Sequence, residues 1–289
     1  MEKLKIGALV SGGGTNLQAI IDACEAGLID GEFTFVGSDR PGVFGLERAK
    51  KHGIPTFVVD YSERMDGMRE LGSHSFFKHL TPKDFNSDEI FNKLGKVSAS
   101  DYLSAKFIKL AIIESELLKE MAKYQFDLLV LAGFMRMLSP YFIDKINIDP
   151  WKLRIMNIHP ALLPNFPGMH GYEDTWNYGC TVGGCTVHFV DYGEDTGPII
   201  MQGSFNRLPG DTLETFSAKG LAIEHEVYPR CIQLFAQGRL KLVEGVLRGG
   251  ATRKLVEILP GKTAIEVLDE GAEFELGHME NCPGLRCRR

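Results

Sequence analysis

The sequence predicts a three-layer α/β domain: a mostly parallel, twisted sheet with helices on both faces. Three observations carry that expectation. Short apolar runs alternate with stretches of helical spacing, the order that gives parallel strands joined by covering helices. The runs are apolar at consecutive positions, which suits strands buried on both sides. The first run also ends in a glycine cluster that leads straight into a helix, the strand–turn–helix opening of doubly wound sheets.

Taken in order, residues 3–10 are the first expected strand, followed by Ser11-Gly12-Gly13-Gly14. From Asn16 onward, Leu17, Ile20, Ile21 and Cys24 fall on one face of a helix. Residues 33–37 read as a second strand, 44–52 as a second helix closed by Gly53, and 56–59 as a third strand. Between Tyr61 and Asp101 the alternation stops. That stretch is polar and carries Gly67, Gly72 and Gly95, which predicts an insertion of irregular structure or short helices. Residues 108–124 return to helical periodicity, with Ala111, Leu118 and Met121 on a buried stripe. Residues 127–131, 154–158 and 186–190 are β-type runs, and a hairpin-like stretch follows Gly238. The expected organisation is one domain over 1–254, with an insertion at about 66–105, and a C-terminal extension over 255–289.

Charge narrows the function. Asp plus Glu outnumber Lys plus Arg by 38 to 32, a formal net charge of -6, which argues against a surface built to grip nucleic acid. A small anionic substrate is still compatible, because a local site can be positive inside an acidic protein. No apolar run approaches the roughly 20 residues of a membrane helix. The six cysteines are scattered without a Cys-x-x-Cys pair, the usage of a reducing compartment. The expectations are small-molecule partners, no nucleic acid, no membrane and a cytoplasmic location.

Three motifs carry chemistry. In Ser11-Gly12-Gly13-Gly14-Thr15-Asn16, unpaired backbone N–H groups and a positive helix end make an anion site. A dinucleotide fingerprint is disfavoured because Leu17 stands where the third glycine belongs, although Asp39 would suit a ribose hydroxyl. A nucleotide P-loop lacks its lysine, so a monophosphate-sized anion fits best. In the second motif, Asn157 and His159 are two apart on a β-type run, so both side chains share a face. An amide donor beside an imidazole suits an acyl centre, and it also suits a capped strand end. The third motif, Asp191-Tyr-Gly-Glu-Asp195-Thr-Gly-Pro198, is an acidic turn. His159, His170 and His188 show no zinc spacing, so no metal is expected.

Together these residues resemble a known family. Ser11-Gly-Gly-Gly-Thr-Asn-Leu-Gln-Ala-Ile, Phe44-Gly-Leu-Glu-Arg-Ala, Leu131-Ala-Gly-Phe-Met-Arg-Met-Leu-Ser, Asn157-Ile-His-Pro-Ala-Leu-Leu-Pro, His188-Phe-Val and Asp195-Thr-Gly-Pro are similar, in order, to phosphoribosylglycinamide formyltransferases, the folate-dependent family of purine synthesis. The resemblance runs to about Leu242 and implies the Rossmann-like formyltransferase fold. It implies formyl transfer from 10-formyltetrahydrofolate, as co-substrate, to glycinamide ribonucleotide. It maps the catalytic set onto Asn157, His159 and Asp195, and substrate binding onto Gly14, Thr15, Asn16 and Glu224. Folate binding maps onto Met135, Arg136, Met137 and Leu138, with Asn157 and Asp191. The expected assembly is a monomer or a homodimer. Two positions depart from the family pattern: Leu110 stands where an arginine commonly meets the folate tail, with Lys106 and Lys109 nearby, and Leu221 replaces a glutamine.

Several alternatives follow from the same motifs. A formyltetrahydrofolate deformylase shares the catalytic trio but typically carries a regulatory domain ahead of the glycine loop, which here starts at Ser11. A methionyl-tRNA formyltransferase would add a basic C-terminal domain, whereas Glu266, Asp269, Glu270, Glu273 and Glu275 interrupt this tail. A metabolite-binding homologue without activity is the third alternative.

Overall fold

The computed structural model describes residues 2–70, 82–86 and 101–261, with side chains left out at 66–70 and 101–107. The chain opens with β1 (Leu4–Val10), α1 (Thr15–Glu25), β2 (Gly31–Ser38), α2 (Phe44–Lys51), β3 (Thr56–Val58) and α3 (Tyr61–Glu70). After the insertion come α4 (Asp101–Met121), β4 (Leu128–Leu131), α5 (Pro140–Ile146) and β5 (Ile155–His159). Next are α6 (Gly171–Tyr178), β6 (Val182–Phe189), β7 (Ile199–Asn206), α7 (Leu213–Ala236) and the hairpin β8 (Leu240–Val246) with β9 (Thr252–Ile258).

Seven strands form one sheet in the order β3-β2-β1-β4-β5-β6-β7. The first five are mutually parallel, whereas β6 runs antiparallel to β5 and β7 antiparallel to β6. The sheet is therefore mostly parallel, as its alternating pattern predicts. Its two faces are divided residue by residue along β4. Leu128 and Val130 join the core beneath α1 and α7, with Leu17, Ile20, Tyr228 and Ile232. Leu129 and Leu131 join the opposite core, with Ile113, Leu117 and Met121 of α4 and Phe142 of α5. A strand apolar on both faces must be covered on both, and that requirement sets the three layers.

Four elements lie outside the sequence expectations: β7, α5, α6 and α7. The helix α5 has seven residues and α6 has eight, too short for a periodic stripe to register. The 24-residue α7 contains Pro229, which reads as a breaker from sequence. At the other end of the chain, β9 pairs with β8 out to Ile258, so residue 254 falls within a strand rather than at a domain edge. Of the insertion expected at 66–105, α3 reaches Glu70 and α4 begins at Asp101. Residues 71–81, 87–100 and 262–289 lie outside the described residues.

Order in the sheet positions the site. The chain winds outward from β1 through β2 to β3, then restarts on the other side of β1 with β4. Loops that leave adjacent strands in opposite directions open a crevice at their carboxyl ends. Here those loops are the glycine turn after β1 and the Gly133–Leu138 segment after β4.

Candidate active site

The glycine turn is built for close approach. Gly14 caps α1 in the left-handed region at φ 68°, and a Cβ there would stand 2.7 Å from the Gly45 Cα. Gly45 N–H donates to the Gly12 carbonyl at 2.9 Å, and Arg48 Nε–H donates to the Gly13 carbonyl at 2.9 Å. The turn is therefore clamped by α2 from below, while Gly12 and Gly13 face open space. Thr15 and Asn16 begin α1, so their N–H groups are among the unpaired donors of a helix start.

The loop after β4 is tied to this turn. Ser11 N–H donates to the Gly133 carbonyl at 3.0 Å, and Met135 N–H donates to Ser11 Oγ at 2.8 Å. Leu138 is buried, but Met135 and Met137 are about half exposed. The Arg136 guanidinium is anchored by Asp39, its Nε 2.6 Å from Oδ2, and it stacks 5.6 Å from the Tyr61 ring centroid. Asp39 is fully buried. Burial pushes its carboxyl upward, but hydrogen bonds from Ser11, Arg136 and Arg40 outweigh that and hold it below the ordinary value. That engagement commits Asp39 Oδ2 to Arg136 and Arg40.

Two strand residues meet one loop residue at the centre. Asn157 and His159 lie on β5, and register pairs Asn157 with His188 and His159 with Thr186 on β6. His159 is 2 % exposed. Its Nε2 lies 2.7 Å from the Phe166 carbonyl, and its Nδ1 lies 3.2 Å from Asp195 Oδ2. Both partners are acceptors, and they fix the orientation of the ring. Asp195 is held by a Gly168 N–H at 2.8 Å and faces His188 Nε2 at 3.6 Å. Burial would raise the Asp195 carboxyl, but the His188 ring, the Gly168 N–H and the charge of His159 hold it below the ordinary value. Asn157 Nδ2 lies 3.3 Å from His188 Nε2. Two non-glycine residues here carry positive φ, Phe166 at 52° and Asp195 at 53°, the kind of backbone strain that clusters at functional sites.

A third group closes the cleft from α7. Glu224 is buried, its Oε2 accepting from Asn16 Nδ2 at 2.6 Å and its Oε1 from Tyr172 O–H at 2.5 Å. One turn later, the Tyr228 hydroxyl lies 2.8 Å from the Met156 carbonyl and 3.2 Å from that of Leu131, pinning α7 across the ends of β4 and β5. Asp191 shapes the acidic turn, where its Oδ1 accepts from Thr196 O–H at 2.6 Å and Gly193 N–H at 3.2 Å.

The structure thus joins Asn157, His159 and Asp195 in one cluster and Asn16 with Glu224 in another. It places Gly14, Thr15 and the Met135–Leu138 segment along the same crevice. Leu110 packs against the core. His188 and Tyr172 also line the site, through Asp195 and Glu224; only the antiparallel register opposite Asn157 points to His188. Among the described residues, no group of three or more His, Cys, Asp or Glu is arranged to hold a metal, and no helix is long and apolar enough to cross a membrane.

Comparison with known proteins bears directly on this geometry. The formyl transferase family model matches residues 4–232. The phosphoribosylglycinamide formyltransferase of Escherichia coli is 35% identical over 241 residues, covering 83% of this chain and 91% of that protein. The chain belongs to the formyl transferase family, on its phosphoribosylglycinamide formyltransferase branch. Glycinamide ribonucleotide transformylase 1 from Symbiobacterium toebii shares this formyl transferase fold with a TM-score of 0.65 and 35% identity, over 90% of this chain and 95% of its own. The Trifunctional purine biosynthetic protein adenosine-3 of Drosophila pseudoobscura pseudoobscura is 36% identical over 244 residues. Those residues are 84% of this chain but 14% of that longer protein. The family match over residues 4–232 spans the crevice described above.

Proposed function

We propose that this protein transfers a formyl group from 10-formyltetrahydrofolate to the amine of glycinamide ribonucleotide, with Asn157, His159 and Asp195 as its catalytic set. The observation that carries this reading is the placement of His159, buried with one ring nitrogen on Asp195 and the other on a carbonyl. A histidine so placed is a preorganised N–H donor. Such donors act where negative charge develops in acyl transfer, which is commonly the largest single contribution to rate.

Formyl folate supplies the activated formyl carbon. The chain's residues do the rest. The glycine turn, through Gly14, Thr15 and Asn16, takes the substrate phosphate on unpaired N–H groups. Glu224 accepts from the sugar hydroxyls. The Met135–Leu138 segment offers exposed Met135 and Met137 beside buried Leu138 as an apolar shelf for a flat ring system, with Asp191 on the opposite wall. When the amine adds to the formyl carbon, the oxygen that gains charge takes the place of the Phe166 carbonyl as acceptor from His159 Nε2, and the Asn157 amide donates to it. Asp195 orients His159, and as a carboxylate it receives through water the proton the amine must lose; it then returns that proton to N10 of the folate as the bond between N10 and the formyl carbon breaks, releasing tetrahydrofolate and the formylated amine. No enzyme nucleophile is required, because the amine is the nucleophile.

The test is amine dependence. Purified protein should consume 10-formyltetrahydrofolate, followed by absorbance, only with glycinamide ribonucleotide present. His159→Asn should lower kcat by roughly 10²-fold or more with little change in KM. Consumption without the amine would mark a hydrolase, and near-normal turnover by His159→Asn would remove the ring from the mechanism.

A further inference from the structure

The acidic turn that carries Asp195 holds a backbone its own residues do not favour. Asp195 sits at φ 53°, a conformation that a non-glycine residue keeps only where its surroundings over-determine it. Part of that determination is internal. A Cβ at Gly197 would stand 1.7 Å from the Phe189 carbonyl oxygen, and one at Gly193 would stand 2.1 Å from Thr196 Oγ. Both glycines therefore let the turn fold back on itself. Phe189 N–H donates to the Pro198 carbonyl at 2.9 Å and closes its base.

Outside support reaches the turn at its start and at its far end. At the start, Val190 N–H donates to the Ile155 carbonyl at 2.9 Å, and Tyr192 O–H donates to Asp144 Oδ1 of α5 at 2.5 Å. At the far end, Arg253 of β9 donates from Nη2 to the Thr196 carbonyl at 3.0 Å. Thr196 directly follows Asp195. Among the described residues, no other hydrogen bond from outside the turn reaches the backbone of residues 193–196. Packing does not replace that bond, because Tyr192, Thr196 and Arg253 all border one cavity of about 740 Å³. The hairpin behind Arg253 is firmly based. Leu240, Leu242 and Val256 pack on the core beneath α1 and α7, and Leu259 N–H donates to the Arg239 carbonyl at 2.8 Å. Beside Arg253, Lys254 Nζ donates to the Pro150 carbonyl and lies 5.1 Å from the Trp151 ring centroid.

We infer that Arg253 is a positioning residue: from the C-terminal hairpin it braces the backbone beside Asp195, and so keeps Asp195 Oδ2 at 3.2 Å from His159 Nδ1. The inference rests on the catalytic reading of Asp195 above and adds to it a residue that touches no substrate. A carboxylate on a strained turn over a cavity drifts when its outer tether is cut, because the left-handed residue then relaxes toward an ordinary conformation. The guanidinium suits the task, since its charge strengthens a bond to a carbonyl that is open to water on the hairpin side.

The experiment compares wild type, Arg253→Ala, Arg253→Lys, Asp195→Asn and the double variant of Arg253→Ala with Asp195→Asn. Steady-state kinetics use glycinamide ribonucleotide and 10-formyltetrahydrofolate, and amide hydrogen exchange is followed without substrates. Arg253→Ala should lower kcat about tenfold, short of the roughly 10²-fold that a 1 Å misplacement can cost. KM for the ribonucleotide should stay within about twofold. Arg253→Lys keeps a charged donor for the single carbonyl, so kcat should recover to within about threefold of wild type. In the Asp195→Asn background the alanine change should add nothing, because Arg253 acts through Asp195. Gly168 N–H is bonded to Asp195 and Gly193 N–H to Asp191. Exchange at both should quicken about tenfold in Arg253→Ala, while amides of β1 and β4 exchange as in wild type.

A fully additive loss, an unchanged kcat in Arg253→Ala, or exchange that quickens equally in β1 and β4 would each overturn the brace, the last by marking a general loss of stability. Unchanged exchange at Gly168 and Gly193 with an impaired Asp195→Asn overturns the brace alone. Faster exchange confined to those two amides, with Asp195→Asn at wild-type turnover, keeps the brace and overturns the catalytic reading of Asp195.

Discussion

Glu114 on α4 is fully buried and lies against the segment proposed to hold folate. Its Oε1 accepts from Ser139 N–H at 2.7 Å, and its Oε2 shares a very short hydrogen bond with Ser139 Oγ. Ser139 caps α5 by accepting from Phe142 N–H. Burial pushes the Glu114 carboxyl up to about 8 from an ordinary 4.5, against the opposing pull of the two Ser139 donors. The folded protein therefore holds a proton between those pH values that the unfolded chain has released. Stability must fall as pH rises through this window and level off above it. At 1.36 kcal/mol per unit, a shift of about 3.5 units corresponds to roughly 5 kcal/mol as an upper scale.

Glu114→Gln keeps an acceptor for Ser139 N–H and removes the titration. Near pH 5 the variant should match the wild type or be slightly less stable. Near pH 8.5 it should be more stable by at least about 2 kcal/mol, some 4–8 °C in Tm at roughly 2–4 °C per kcal/mol. Urea or thermal melts of both proteins across pH 5–9 make the measurement, and every other titrating group cancels in the difference. Parallel stability curves for the two proteins would refute a buried, proton-holding Glu114.

Other outcomes follow from the same contacts. Gly13→Ala places its methyl in open space, so stability should stay within about 0.5 kcal/mol while calorimetric affinity for glycinamide ribonucleotide falls; unchanged affinity would take the turn out of the site. Gly14→Ala combines a positive φ with a 2.7 Å clash against Gly45, so it should cost about 2 kcal/mol or more and lower Tm, and a variant as stable as wild type would contradict the clamp by α2. Tyr228→Phe leaves the Leu131 and Met156 carbonyls without their shared donor, which should cost roughly 1–3 kcal/mol; denaturant titration showing no loss would count against α7 being pinned there.

How much of this was legible in the sequence varies with the range of the interaction involved. The unbroken apolar run from Leu128 to Leu131 is local, so the buried strand is read directly, and the two-residue spacing of Asn157 and His159 puts both on one face of β5. Glu224 was placed by resemblance alone, because nothing near it in sequence distinguishes a helix-face glutamate from a solvated one. Tyr172 and His188 depend on partners 52 and seven residues away, Glu224 and Asp195, and on a strand reversal at β6 that the parallel rhythm of the first half does not announce. Asp39 shows the reverse case: suited by position to a ribose, its Oδ2 is held by Arg136 from 97 residues further on, a contact no local pattern announces.

The bond between Asn16 and Glu224 joins residues 208 positions apart, and this has a consequence for synthesis. At about 5–20 residues per second, a ribosome needs roughly 10–40 seconds to deliver the second partner after the first. Throughout that interval β1, α1 and the glycine turn can assemble locally, yet the helix that completes the sugar end of the crevice has not been made. The pocket is therefore among the last parts of this protein to exist. Any slowing of the final third of translation lengthens the time during which the apolar faces awaiting α7 are bare to water and to other nascent chains.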